Sequence, residues 1–397
     1  MKIKPKSLII ASSCCLSVCL GIAVAVQLRS ASSVQANEPE LVEEIAPPQS
    51  GRFVQEPQER KSFRRDYSAS SLGRGGFNRS LYNRRTSPNV LGAFSQTMDE
   101  AWKASVRLLA NDEQVALGLV VDPDGWIVTK ASQLPDQTAI ICRLFDYREL
   151  RAEIVDTDTR MDIALLRVDA SRLPSAQWAD RLPDRGNFVL TADVKSTPTS
   201  LGVVSTGIQR IPRERPVLGV SLKNTREGAS VTEVLLGTGA FDAGLRKNDV
   251  IYEVNGNPVQ TLSGFKQAIR DAKGGDFVAL RLKRGESELS IRARLMDLTE
   301  ELFDETEMEV NGRVSARATG FDRVFLHDTV LKPHECGGAL VNLDGQVVGL
   351  NIARAGRVTS YALPFDVLKP TISGLVEKAK LVSHRDANKN ASASTVR

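Results

Sequence analysis

Two stretches of the chain, from Leu91 to Ile211 and from Arg323 to Leu368, are trains of short apolar runs cut by turn residues. That rhythm points to β-structure with little helix. The runs include "ALGLVVDPDGWIVTKA", "TAIICRLF", "AEIVDTDTRMDIALLRVD", "GNFVLTA" and "SLGVVSTGIQRI". Pro123-Asp124-Gly125, between two valine-rich runs, is a hairpin signal, because proline presets the turn and glycine permits its left-handed step. Many short strands separated by turns make a barrel or a sandwich. Ahead of them, "FSQTMDEAWKASVRLLAN" spaces Phe94, Met98 and Trp102 as a short amphipathic helix leading into a strand. "RVFLHDTV", "PHECGGALVNLDGQVVGLNIA" and "YALPFDVL" read as further short strands.

Between the two β-rich stretches lies a unit of another kind, residues 215 to 295. The strand "PVLGVSL" is followed by "TGAFDAGLRKNDVIYEVNGNPV", a helical "LSGFKQAIRDA", and the strands "DFVALRLKR" and "ELSIRARL". Helix and strand mixed over this length make a small compact α+β domain. Ahead of all this, Lys2, Lys4 and Lys6 precede the apolar run "SLIIASSCCLSVCLGIAVAV", with small residues at Ala23-Val24-Ala25 and again at Val34-Gln35-Ala36. That is an export signal, with cleavage and retention as an anchor both open. Residues 37 to 92, rich in Pro, Ser, Arg, Asn and Gln, cannot supply a core and read as a disordered basic linker. Its basic cluster (Arg60, Lys61, Arg64, Arg65, Arg74, Arg79, Arg84, Arg85) suits either a solvated spacer or contact with membrane or cell wall.

Composition removes some function classes. The 397 residues are 42% hydrophobic and 25% charged, ordinary for a globular protein. Loss of the three signal lysines takes the formal charge from +4 to about +1, which gives no case for a nucleic-acid partner. Three of the five cysteines, Cys14, Cys15 and Cys19, sit in the signal segment, so Cys142 and Cys336 alone remain and no disulfide framework is implied. No motif calls for a metal or another cofactor.

At this point two resemblances carry weight. Leu218-Gly219-Val220 resembles the carboxylate-binding loop of PDZ domains of bacterial envelope proteases, and "GAFDAGLRKNDVIYEVNG" is similar to their small-residue helix, Gly-Leu turn and Asp-Val-Ile strand. A glycine there lets backbone N–H groups reach a peptide's terminal carboxylate while the strand edge accepts the peptide by β-augmentation. The flanking segments resemble the trypsin-like domain of the HtrA (DegP-like) family. Within "DPDGWIVTKASQL" Ser132 falls on the catalytic histidine, within "DTRMDIALLRVD" Asp162 falls on the aspartate, and within "HDTVLKPHECGGALVNLDGQVVGLNIA" Cys336 falls on the serine. Gly337-Gly338 keep the family's turn, whereas His334-Glu335 replace its small Gly-Asn pair and would shape the oxyanion loop. The resemblance also implies oligomers.

Together these imply a mainly β fold: a trypsin-like double β-barrel interrupted by an inserted α+β PDZ domain. The expected layout is signal peptide or anchor 1–36, linker 37–92, trypsin-like part 93–212, PDZ domain 213–297, second trypsin-like part 298–378, and disordered tail 379–397. Insertion into a loop is tolerated because closure entropy grows only logarithmically.

Cysteine in place of serine is workable nucleophilic chemistry. Serine in place of histidine is not, because an alcohol cannot take a proton near pH 7 and return it to the leaving amine. The only histidines are His327, His334 and His384, so the first barrel has none. Loss of a working triad costs about 10⁶ in kcat, roughly 8 kcal/mol of transition-state stabilisation. Asp162 would then cap a turn or accept backbone hydrogen bonds, and Cys336 is either a small buried residue or a reactive thiol. The leading expectation is an exported, inactive HtrA-like protein that binds polypeptide C-termini or unfolded proteins as scaffold, chaperone or regulator, with copies of itself or active relatives as further partners. An endopeptidase using Cys336 and a structural protein anchored through the basic linker are the alternatives.

Overall fold

The computed structural model of the chain describes residues 84–136, 138–299 and 312–394. The export segment and most of the basic linker lie outside these residues. Six strands close the first barrel: β1 (Ser105–Ala110), β2 (Glu113–Asp122), β3 (Trp126–Lys130), β4 (Ile140–Arg143), β5 (Glu149–Asp158) and β6 (Ile163–Val168), in the order β1-β2-β3-β6-β5-β4. Alternation drives the closure: Val106, Leu108, Ile127, Leu166 and Cys142 point inward and form one buried cluster. The Pro123-Asp124-Gly125 hairpin joins β2 to β3, with Gly125 at φ +90°.

The second barrel uses sequence-distant strands. β7 (Phe188–Thr191) and β8 (Ser200–Ile211) close with β17 (Phe321–His327), β18 (Ala339–Val341), β19 (Val347–Arg354) and β20 (Ser360–Pro364) in the order β17-β20-β19-β18-β7-β8. Everything from β9 to β16 is therefore inserted between two paired neighbours, β8 and β17, as the double-barrel reading requires. A short neck, β9 (Pro216–Val217) against β16 (Met296–Asp297), closes the base of the insertion. Beyond it a sheet of β10 (Val220–Asn224), β11 (Ala229–Val234), β12 (Val250–Val254), β14 (Phe277–Arg284) and β15 (Ser287–Arg294), with β13 (Asn257–Pro258) on β12, packs with the helix Leu262–Ala268 around its own core of Val231, Ile251, Phe265, Leu280 and Leu282.

Three local expectations are corrected. The segment "FSQTMDEAWKAS" forms successive turns rather than a helix. Isolated bonds such as Met98 N–H to Phe94 O hold it, while Met98, Ala101 and Ala104 bury themselves along the barrels, so packing overrides the helical spacing. The regular helix, α1 (Pro88–Gly92), comes earlier, inside the stretch read as linker: Ser87 caps it and Pro88 starts it. Nearby Arg85 ion-pairs with Asp328 at 2.5 Å. Finally, where "YALPFDVL" suggests strand and residues from 379 a disordered tail, a helix runs from Phe365 to Ser394. Leu368, Ile372, Val376 and Ala379 form its buried stripe against the shared barrel core. With α2 (Gly239–Asp242) and α3 (Leu262–Ala268) counted, this last helix is α4.

Candidate functional site: a filled catalytic cleft

Antiparallel pairing of β3 with β6 sets Lys130 opposite Ile163, which brings the end of β3 beside Asp162. Ser132 follows in a 3-10 turn, Ala131–Gln133. Its backbone N–H donates to Asp162 Oδ1 at 2.8 Å and its hydroxyl donates to Asp162 Oδ2 at 2.7 Å. Ser132, the residue the resemblance aligns with the histidine, is thus in contact with Asp162, which accepts its backbone and hydroxyl hydrogen bonds. Asp162 is held at φ +62°, a conformation that an Asp tolerates better than most residues.

A residue the sequence reading missed dominates this site. The Lys130 side chain is wholly buried, and its ammonium donates to Asp162 Oδ2 at 2.7 Å and to Arg317 O at 2.9 Å. A lysine ending an apolar strand carries no local signal that it points inward; only the β3–β6 register puts a carboxylate beside it. Arg317 approaches the same carboxylate at 3.8 Å and donates to the carbonyls of Thr159 and Arg160 at 2.7 and 2.9 Å. Lys130 and Arg317 both lie on the Phe321 ring, at 5.8 and 5.0 Å from its centroid. One aspartate is therefore compensated by two cations.

Cys336 follows the 3-10 turn Pro333–Glu335 and is completely buried. Burial pushes its thiol pKa up against the opposing pull of Lys130 and of hydrogen bonds from Ser315 and the Arg354 N–H. Its sulfur stands 3.7 Å from Ser315 Oγ. Its own N–H, a donor that an oxyanion hole of this type needs, is spent on Pro333 O at 3.1 Å, and Glu335 N–H is spent on Lys332 O. Glu335 closes that turn by accepting from Lys332 N–H at 2.7 Å. Gly337, at φ +94°, donates to Asn351 O, and a Cβ there would fall 2.3 Å from Leu117 O. A Cβ on Gly338 would stand 2.9 Å from the Leu117 side chain.

Two histidines lie in these parts, His334 and His327. His334 borders a cavity of about 280 Å³ with Arg107, Gln114, Leu117, Asp193 and Glu335. Among the described residues no hydrogen bond or ion pair joins its ring to Cys336 or Asp162. His327 is wholly buried inside the second barrel on β17, and burial lowers its pKa to about 3. Cys142, in the first barrel, is likewise free and buried, its pKa pushed up to about 12. Among the described residues no group of three acidic, His or Cys side chains could hold a metal.

The segment that returns from the inserted domain reaches the same place. Ser315 N–H donates to Arg354 O at 2.9 Å and its hydroxyl accepts from Arg354 N–H at 3.0 Å, so Ser315 lies against the end of β19. The Arg354 side chain, also buried, donates to Leu331 O at 2.9 Å.

At the second predicted site a strand edge is exposed. β10 has one strand partner, β11, its other edge faces α3, and Ser221, Lys223 and Asn224 are exposed along it. Asn224 Oδ1 accepts from Leu262 N–H at 2.7 Å, tying the strand to the helix. Leu218 is buried, Gly219 has φ +86°, and a Cβ on Gly219 would come within 2.2 Å of Thr238. Val220 and Leu222 pack half-buried against the domain core.

Comparison with known proteins agrees with this architecture. A PDZ domain model matches residues 216–295, and a trypsin-like peptidase domain model matches residues 116–242. A probable periplasmic serine endoprotease, DegP-like, of Pseudomonas putida is 38% identical over 68 residues, 17% of this chain and 14% of that protein. Its counterpart in Halomonas elongata is 41% identical over 63 residues, 16% of this chain and 13% of that one. These matches cover about one seventh of the relatives' length. A crystal structure of the serine endoprotease from Yersinia pestis aligns over 52% of this chain and 98% of its own at 18% identity, with a TM-score of 0.25. By the two domain models and the DegP-like relatives, the chain carries a trypsin-like peptidase domain with an inserted PDZ domain and is similar to HtrA/DegP-like proteins.

Proposed function

We propose that this is an exported protein whose trypsin-like domain does not cleave peptides and whose PDZ domain binds C-termini or unfolded segments, as a scaffold, chaperone or regulator of active relatives. The carrying observation is the contact of Ser132 with Asp162 at 2.7 Å in the histidine's place. It leaves the buried Cys336 without a base. An acylation needs the nucleophile's proton removed and later returned to the leaving amine, and the side chain that hydrogen-bonds Cys336 Sγ is the Ser315 hydroxyl. Export is supported by the segment at residues 1–36 and by relatives named periplasmic. Among the described residues no helix is long and apolar enough to cross a membrane. Oligomers, and contact of the basic linker with envelope surfaces, belong to the same reading.

The test is direct. The full chain and its Cys336→Ala variant are incubated with an unfolded protein substrate and with fluorophosphonate and thiol-directed probes, while a library of C-terminal peptides is titrated against the same chain. No cleavage by either protein, together with peptide binding lost in Gly219→Val, is the expected result. Cleavage abolished only in Cys336→Ala would make this a cysteine endopeptidase and defeat the proposal.

A further inference from the structure

The contacts between the inserted domain and the barrels converge on the degenerate catalytic residues. The turn Lys273-Gly274-Gly275 precedes β14 and lies against Ser132. A Cβ built on Gly275, which has φ +91°, would stand 2.3 Å from Ser132 Cβ. On either side, Lys273 Nζ donates to Thr159 O at 3.2 Å, Arg294 donates to Leu134 O at 2.9 Å, and Arg292 ion-pairs with Asp136. The returning strap is clasped to the same turn by one buried carboxylate. Asp297 accepts from Gly274 N–H at 3.1 Å, Ala318 N–H at 2.9 Å and Thr319 N–H at 2.8 Å. Three backbone donors on one carboxylate make a rigid knot, and the strap so held lays Arg317 beside Asp162 and Ser315 over Cys336.

We propose that the degenerate catalytic cleft is the docking seat of the chain's own inserted domain. The partner of this surface is the 273–275 turn with the 313–320 strap, and serine at 132 is the residue that lets the turn approach. A histidine Cγ placed where Ser132 Oγ stands would be 2.7 Å from Asp162 Oδ2, inside carbon–oxygen contact. Its ring has to go elsewhere, yet Lys130 shares that oxygen and Gly275 closes the Cβ side. The histidine-to-serine change thus has a positive role beyond the loss of a base. It converts a reaction site into an intramolecular interface that fixes the orientation of the PDZ groove, whose β10 edge stays outside the seat. This holds whether or not the groove takes peptides.

Cys336 is a built-in reporter, because the strap covers it, and Cys142 is the control, because only unfolding of the first barrel exposes it. The full chain and its variants are pulsed with a thiol reagent under native conditions, and the labelling of each cysteine is read by peptide mass spectrometry. Ser132→His and Gly275→Val should label Cys336 at least about tenfold faster than wild type with Cys142 still protected, through local opening of the seat. Ser132→Ala, which keeps the turn's space, should stay close to wild type. Lys273→Ala/Arg294→Ala removes interface donors without touching the barrel interiors and should also speed Cys336 alone. Unchanged Cys336 labelling in that double variant overturns the proposal, as does acceleration in Ser132→Ala equal to that in Ser132→His. Should Ser132→His or Gly275→Val label both cysteines, the double variant decides.

Discussion

Removing the Lys130 ammonium while keeping its length, as Lys130→Met, strands Asp162 in the interior. The Asp162 side chain is 3% exposed and that of Lys130 is not exposed at all, so water cannot replace the lost partner. Removing one member of a buried pair costs about 3–5 kcal/mol, because the surviving charge keeps its desolvation penalty without its attraction. Here Arg317 at 3.8 Å and the two Ser132 donors soften the loss, which places the expected cost near the lower end, about 3 kcal/mol. The double variant Lys130→Met/Asp162→Asn removes both charges. Asparagine tolerates the positive φ at 162 and its amide oxygen still accepts from Ser132 N–H, so the pair should recover at least about half of the single-variant loss. Urea unfolding followed by tryptophan fluorescence reads the right part of the molecule, since Trp102, Trp126 and Trp178 all lie in the barrel pair and none in the inserted domain. A cost under about 1 kcal/mol for Lys130→Met, the range of exposed pairs, would refute the claim that this contact is a buried keystone.

Other outcomes follow from the same geometry. His327 is neutral when folded, with its pKa lowered to about 3, whereas the unfolded chain binds a proton below about 6.5. Stability should therefore be full above that pH and fall by about 1.4 kcal/mol per unit as pH drops towards 3, a slope that His327→Phe should flatten in urea titrations at several pH values. Gly337→Ala should cost at least about 2 kcal/mol in the same assay, since it meets both a positive φ and Leu117 O; a loss within about 0.5 kcal/mol would contradict the packing. For Gly219→Val, isothermal titration should show at least about a tenfold loss of C-terminal peptide affinity, since the new side chain collides with Thr238 and shifts the loop.

The resemblance of Leu218-Gly219-Val220 and of "CGGALVNLDGQVVGLNIA" to known motifs, together with period-2 apolar runs, was enough to read the barrel pair, the inserted domain and the absence of histidine from the first barrel. These are local properties: a hairpin turn, an alternating strand or a missing imidazole needs no partner to be recognised. The buried stripe Leu368, Ile372, Val376 and Ala379 was equally present in the sequence, but Pro370 and the strand-like "YALPFDVL" masked the helix. What only tertiary structure decided is what fills the site. Lys130 becomes a counter-charge because β3 and β6 pair in one register, and Asp297, the last residue of the expected PDZ domain, becomes a clasp because three backbone donors from two distant segments meet there. Ser132 looks like a lost base in the sequence; in space it is where Gly275 fits. Charge compensation and close approach depend on distances between residues far apart along the chain, and no pattern in the sequence encodes those distances.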